Sequence, residues 1–369
     1  MAEPIGATPV TVTVVNYNGA AFLGACLDHL AALRGEIAEV IVVDNASTDG
    51  SLELARAHPV APRVVALDSN DGPCVARNRG LAEARTRWVF QVDSDVLVEP
   101  DVLEKLLPEL ADPEVVVVQP RAVLANDPAV VHYDGGRMHY VGVMCLDNLL
   151  QRVDGDAGPA NDVDAVISMA LLLDARLVLD IGAYDEAFFI LFEDHDLSYR
   201  LRARGLRLRR VPRARVLHDT GTEGLSFRPG AAAYPDRRAF LHARNRAYLV
   251  LKNYSWRAMI LSWPGRCVYA LVWLVFAASR GVLGGYIRGR IDLLRHVPRA
   301  LRLRRQLAGQ RRLGDRRLLG ADALTFSPVI DRRGMEAGLE RVLNAILRGW
   351  WRLVSVFLPR SAGPTSGSS

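Results

Sequence analysis

Through the first hundred residues, short apolar runs that stop at polar residues alternate with stretches of helical spacing. Residues 10–15 are mostly β-branched and end at Asn16-Tyr17-Asn18-Gly19. Ala21, Leu23, Leu27, Leu30 and Leu33 then supply one helical face. Residues 40–43 end at Asp44-Asn45-Ala46-Ser47-Thr48-Asp49-Gly50, with a helix start near Asp49 or Ser51. Residues 64–67 lead to Asp68-Ser69-Asn70-Asp71-Gly72, and Pro73 suits the first turn of a helix through Ala76 and Leu81. Residues 88–92 are a fourth run. This strand–helix alternation predicts an open parallel sheet covered by helices. Such sheets bind ligands beyond the carboxyl ends of their strands. Those ends here carry Asn16 and Tyr17, then Asp44, then Asn70, then Asp93 and Asp95.

The fourth run enters Asp93-Ser94-Asp95 directly. Two carboxylates at the end of a buried strand are costly unless something neutralises them. A hard divalent cation with phosphate co-ligands would do so; a capped turn is the bland alternative. Farther on, residues 115–118 and Gln119 continue the sheet, residues 121–162 are rich in Gly, Asp and Asn, and residues 165–173 are apolar. Phe192-Glu193-Asp194-His195-Asp196 is a second acidic cluster at a predicted helix start. N-capping accounts for Asp196 but not for the preceding Glu193-Asp194 pair. Asp194 is therefore a candidate general base. His218, ending the apolar run 211–217, is a candidate metal ligand.

No glycine-x-glycine-x-x-glycine follows the first strand, and no Walker A sequence occurs. Nucleotide binding would then use side chains and a metal, with Arg77 in Ala76-Arg77-Asn78-Arg79-Gly80 in reach of a diphosphate. Composition is globular, 50% hydrophobic and 24% charged. The four cysteines have no metal-like spacing, and no signal-peptide pattern opens the chain, which predicts a reduced cytosolic compartment. Net charge is +5, yet residues 280–317 hold twelve Arg and two Asp, leaving the rest of the chain about −5. This basic stretch adjoins the most apolar one, which points to an anionic membrane surface. No nucleic acid is expected, since no module with interleaved aromatics is present.

Residues 267–279 are uncharged, and thirteen residues are too few to span a bilayer, which takes about 20. Extension to Ile287 places Arg280 mid-run, where it is costly. An interfacial or re-entrant helix is predicted, with Trp256, Trp263 and Trp273 at the headgroup boundary. Leu339, Val342, Leu343, Ile346, Trp350, Leu353, Val354 and Phe357 recur at helical spacing, for a membrane surface or a second subunit in a homo-oligomer. Residues 364–369 read as a disordered tail.

Over roughly residues 8–255 the chain resembles the inverting family 2 glycosyltransferases, an α/β class with a GT-A nucleotide-sugar-binding sheet covered by helices. The resemblance extends to rhamnosyl- and galactofuranosyl-transferase-like members. It rests on Val14-Val15-Asn16-Tyr17-Asn18, residues 42–50, Asn70-Asp71-Gly72 with Ala76-Arg77-Asn78-Arg79-Gly80, Asp93-Ser94-Asp95, Glu193-Asp194 and His218. It implies that Tyr17 and Asp44 contact the base, that Asn70 and Arg77 line the diphosphate pocket, and that Asp93 binds ribose or metal. It further implies Asp95 and His218 at a Mn²⁺ or Mg²⁺ ion, Asp194 deprotonating the acceptor hydroxyl, and Glu193 on the acceptor side.

The implied domain plan is a glycosyltransferase domain over 1–255, with a nucleotide-sugar half (about 8–120) and an acceptor half (121–255). A helical membrane-associated or oligomerisation region (256–358) and the tail (359–369) follow. The implied activity is metal-dependent transfer of one or a few sugars from a nucleotide-diphosphate sugar to a lipid-linked or cell-envelope glycan acceptor. The location would be the cytoplasmic face of the membrane, peripheral or monotopic. Two departures stand out: Ser168-Met169-Ala170 occupies a place where many relatives have glycine, which bears on acceptor geometry, and the processive Gln-x-x-Arg-Trp motif is absent. The alternatives are a non-catalytic nucleotide-sugar-binding scaffold and a nucleotidyltransferase, the latter expected to carry a glycine-rich loop.

Overall fold

β-Branched runs become the central strands of a mixed sheet in the computed structural model, which describes residues 8–153, 157–218, 234–325 and 335–361. The tail at 364–369 lies outside the described residues. The chain divides into two compact units. The first comprises residues 1–136, 146–201 and 206–220; the second comprises 137–145, 202–205 and 221–369.

The first unit opens with β1 (Val10–Asn16), α1 (Leu23–Ala31), β2 (Ile37–Asp44), α2 (Ser51–Ala57), β3 (Arg63–Ala66), α3 (Pro73–Glu83) and β4 (Trp88–Asp93). It continues with β5 (Val96–Val98), α4 (Val102–Leu106), β6 (Val115–Val123) and β7 (Val131–Tyr133). After a small two-stranded ribbon of β8 (Gly136–His139) and β9 (Val143–Leu146) come β10 (Asn161–Val163), β11 (Ala170–Asp174), α5 (Ala175–Asp180), α6 (Glu193–Ala203) and β12 (Arg207–His218). Strands order as β10-β12-β6-β11-β4-β1-β2-β3, with β5 on β12 and β7 on β6.

The β1–β4 pairings are parallel, as the alternation predicts. β11 lies antiparallel to both β4 and β6. Every residue of β11 is buried, and a strand buried on both faces reads as one apolar run whatever its direction. Parallel register aligns the carboxyl ends. Asn16 pairs with Asp44, and Val15 with Asp93. On one side of the sheet Val10, Val12 and Val14 pack with Leu23, Leu27 and Leu30 of α1. On the other, α3 lies close: a Cβ on Gly80 would sit 3.2 Å from Thr13 Cβ.

The second unit contains α7 (Asp236–Asn253), α8 (Trp256–Ser279), α9 (Leu283–Ala308), α10 (Asp315–Leu318) and α11 (Met335–Val354). α7 falls in this unit. Glycine brings α7 and α9 together: a Cβ on Gly289 would lie 2.2 Å from the Phe240 carbonyl oxygen, and one on Gly285 would lie 2.6 Å from that of Asp236. Residues 137–145 join through Tyr140, which stacks on Trp351 at 4.7 Å and donates to the Leu347 carbonyl at 3.1 Å.

The apolar run 267–287 is not one helix. α8 begins at Trp256, where the Ser255 hydroxyl accepts from the Ala258 amide at 3.1 Å, and it ends before Gly281, whose φ is +72°. Arg257, Pro264 and Arg266 hide that start from hydropathy alone. Among the described residues, α8 is the one helix long and apolar enough to cross a membrane.

Candidate active site

The ends of the first three strands form one hydrogen-bonded edge. Asn16 Nδ2 donates to Asp44 Oδ1 at 2.7 Å and to the Ser51 hydroxyl at 2.9 Å. Ser47 donates to both Asp44 oxygens, its hydroxyl to Oδ1 at 2.6 Å and its amide to Oδ2 at 2.9 Å. Asp44 is 1% exposed, so this carboxylate already braces the turn that follows β2. Asn45 Nδ2 donates to Asn70 Oδ1 at 2.8 Å, tying in the turn after β3, and Tyr17 is exposed beside Asn16. The polar strand ends predicted from sequence do come to one edge.

Arg77, on α3, is the hub of the acidic part. It is buried, and its Nη2 donates to both oxygens of Asp93 at 3.0 Å, while Nη1 donates to Glu193 Oε1 at 3.1 Å. One guanidinium thus joins the end of β4 to the start of α6, from partners 16 and 116 residues away in sequence. Glu193 is buried on Arg77. Burial, and then the adjacent Asp194, push the Glu193 carboxyl up to about 8, with Arg77 opposing. Burial also raises Asp194, while Arg77 and Ser168 draw it back down. Asp93 is raised chiefly by burial, against the opposing charge of Arg77.

Asp194 is held by Ser168, whose amide donates to Oδ1 at 3.1 Å. Ser168 is itself fixed: its hydroxyl accepts from Tyr184 Oη at 2.9 Å, and its carbonyl accepts from Gln91 Nε2 at 3.0 Å. Ser168 is therefore the support of Asp194. Asn78, next to Arg77, clamps Tyr184 through both backbone groups at 2.9 Å. Asp196 is a correction to the sequence reading. It lies inside α6 rather than at its cap, fully buried, with Arg200 Nε donating to it at 2.8 Å.

Antiparallel pairing sets His218, at the end of β12, opposite Val96, and its Nε2 lies 3.3 Å from Asp95 Oδ2. His132 stacks on His218 at 4.8 Å, with their Nδ1 atoms 3.0 Å apart. Among the described residues no three His, Cys, Asp or Glu side chains form a ready metal cage. Gln91, Asn78 and His132 are not assigned site roles from the sequence; Asn78 lies within the Ala76–Gly80 motif, while an isolated His132 in an irregular stretch carries no local signal.

Residues 11–147 match the model of glycosyl transferase family 2. The pre-mycofactocin glycosyltransferase of Mycobacterium tuberculosis (strain H37Rv) is 33% identical over 277 residues, covering 74% of this chain and 56% of that protein. The succinoglycan biosynthesis protein ExoO of Rhizobium meliloti is 43% identical over 105 residues, 28% of this chain and 30% of its own length. The chain therefore spans about half or less of the length of these curated relatives. A crystal structure of GalNAc-T7 with UDP, GalNAc and Mn²⁺ superposes with a TM-score of 0.56 at 16% identity, covering 70% of this chain and 50% of that one. The likeness is one of fold.

Proposed function

We propose that this chain, which belongs to glycosyl transferase family 2, transfers a sugar with inversion from a nucleotide-diphosphate sugar to a hydroxyl acceptor. The observation that carries this reading is the Arg77 bridge, which assembles Asp93 and the Glu193-Asp194 pair into one polar cluster beyond the strand ends. Adjacent carboxylates do not ionise alike. Burial and the adjacent Asp194 push the Glu193 carboxyl up, while Asp194, raised by burial, is drawn back down by Arg77 and by the Ser168 amide, which is the support for taking Asp194 as the base. Asp194 then takes the acceptor hydroxyl proton as the oxygen bonds to the anomeric carbon. The diphosphate leaves from the opposite face with the electron pair of the broken C–O bond, which inverts the centre.

The residues present fit a divalent ion, Mn²⁺ or Mg²⁺. Asp95 Oδ2 and His218 Nε2 converge within 3.3 Å, and two protein donors suffice where phosphate oxygens and water complete the shell. Asp93 has both oxygens engaged by Arg77, so it is assigned to ordering the site, with ribose contact through the same carboxylate. A bound divalent ion supplies charge neutralisation for the departing diphosphate. Tyr17, Asp44 and Asn70 are assigned to the nucleoside side, Asp44 through the turn it braces. A uridine or thymidine diphosphate sugar is favoured, of the rhamnosyl or galactofuranosyl type that the sequence resembles.

The acceptor is assigned to a cell-envelope glycan or glycolipid at the cytoplasmic face of the membrane. The support is in the second unit: only 17% of the most apolar window of α8 is buried, and α9 carries the basic stretch. Thermal melts with a panel of nucleotide sugars, with and without Mn²⁺, test the donor reading. One diphosphate sugar is expected to stabilise the protein in a metal-dependent way; no stabilisation by any sugar nucleotide would count decisively against it.

A further inference from the structure

A backbone irregularity brings His132 beside the candidate metal ligands. The last two residues of β6 are paired on both sides. β12 runs parallel to them, with Val216 opposite Ala122 and Leu217 opposite Val123. β7 runs antiparallel to the same two residues, and its register shifts there. Tyr133 lies opposite Ala122 and Val131 opposite Val123, which leaves His132 with no residue opposite. A bulge of this kind bends its strand and re-aims the side chain of the extra residue. The His132 ring comes to rest on the ring of His218, 4.8 Å between centres and 16° between planes.

His218 is thereby contacted at both ring nitrogens. Its Nε2 is 3.3 Å from Asp95 Oδ2, and its Nδ1 is 3.0 Å from His132 Nδ1. His132 Nδ1 is also 3.3 Å from the His218 carbonyl oxygen. A carbonyl oxygen only accepts. A neutral His132 can therefore donate to it from Nδ1, or accept at Nδ1 from His218, but not both.

Two arrangements of the pair follow. In the first, His132 Nδ1–H donates to the His218 carbonyl, and His218 Nε2–H donates to Asp95. In the second, His218 Nδ1–H donates to His132 Nδ1, and His218 Nε2 turns a lone pair toward Asp95. A lone pair facing a carboxylate is repulsive unless a cation lies between them. A histidine ligand binds through an unprotonated nitrogen and is oriented by the hydrogen bond that its other nitrogen donates. The second arrangement is the one that suits a divalent ion at Asp95 and His218.

We propose that His132 is a positioning residue of the metal site. By accepting from His218 Nδ1–H, it holds His218 in the tautomer and the ring plane that bind the ion through Nε2. Each ring carries one proton in both arrangements. On ion binding His218 exchanges its proton from Nε2 to Nδ1, and His132 exchanges its own from Nδ1 to Nε2, both through water, so the charge of the pair does not change. The inference rests on the reading of Asp95 and His218 as metal ligands given above.

Nitrogen-15 spectra of the histidine rings of the full chain, with and without Mg²⁺, read the tautomers directly at a pH of about 8, where an ordinary imidazole is neutral. The His132 signals are those missing from His132→Phe. The His132 proton is expected on Nδ1 without the ion and on Nε2 with it, although His132 does not touch the ion. The same His132 tautomer in both conditions would overturn the proposal. Mn²⁺ affinity of the full chain is read in parallel from the paramagnetic resonance of the free ion. His132→Phe keeps a flat ring for the stack and loses the acceptor, and is expected to weaken Mn²⁺ binding about 10–100-fold. His132→Asn loses the ring, keeps an acceptor near the Nδ1 position, and is expected to recover most of that loss. Wild-type affinity in His132→Phe with weak binding in His132→Asn would make His132 a stacking brace and overturn the role. Wild type that binds no Mn²⁺ would overturn the metal reading itself, an outcome distinct from equal binding by wild type and His132→Phe, which overturns the role of His132 alone.

Discussion

Replacing Arg77 with Met keeps the aliphatic stem and removes the charge that joins two acidic elements. Arg77 and Glu193 side chains are 6% and 5% exposed and Asp93 is 26% exposed, so solvent screens the cluster weakly. At an effective dielectric of about 20, each close pair is worth roughly 4 kcal/mol before desolvation is counted. Removing one partner of a buried pair costs about 3–5 kcal/mol, because the charges left behind stay buried. Set against a domain stability of roughly 5–15 kcal/mol, that is a large fraction. The cost depends on pH. Arg77 lowers the proton affinity of Asp93, Glu193 and Asp194, so its loss raises all three. Glu193 in the folded protein already titrates at about 8, above its ordinary value. Stability carried by its bound proton is present at low pH and lost as pH rises through that value. The deficit of Arg77→Met is therefore expected to be smaller at pH 5 and to widen toward pH 9. Urea unfolding followed by circular dichroism across that range measures it, with Arg77→Lys falling between. A deficit under about 1 kcal/mol at pH 9 would show that the bridge holds nothing together.

Asp95→Asn is expected to abolish Mn²⁺-dependent donor binding without unfolding the protein, measured by titration calorimetry; unchanged affinity would remove Asp95 from the metal site. Glu193→Gln, which mimics the protonated acid on Arg77, is expected to keep most of the transfer rate at pH 7, and a loss as deep as that of an Asp194 variant would make Glu193 the base. Gly289→Ala gains about 1 kcal/mol of helix propensity. Its Cβ would nevertheless meet backbone 2.2 Å away, a clash that typically costs about 1–3 kcal/mol. A lowered melting temperature is expected, and a raised one would mean that α7 and α9 separate freely.

The first half of the sheet is legible because local signals agree there. Residues 10–15, 40–43, 64–67 and 88–92 are β-branched or apolar runs closed by turn residues, and parallel register then carries Asn16, Asp44 and Asp93 to one edge. The direction of β11 was hidden, since burial on both faces erases alternation. Arg77 showed its place on a helix but not its destination, because its partners lie 16 and 116 residues away. Ser168 read as a departure, and the hydrogen bonds from Tyr184 and Gln91 that make it a support are tertiary. α8 was read too late in the chain because arginines interrupt its apolar face, although its Ser255 cap was visible in the sequence.

The central claim is that Asp194 is the general base of an inverting sugar transfer. The direct measurement is the single-turnover transfer rate of Asp194→Asn with the donor identified by the thermal screen, read beside donor affinity. Donor affinity is expected to stay at the wild-type value while transfer falls about 10²–10⁴-fold, the range for loss of a general base. Transfer at the wild-type rate would contradict the account and leave Asp194 as a brace for the Ser168 turn.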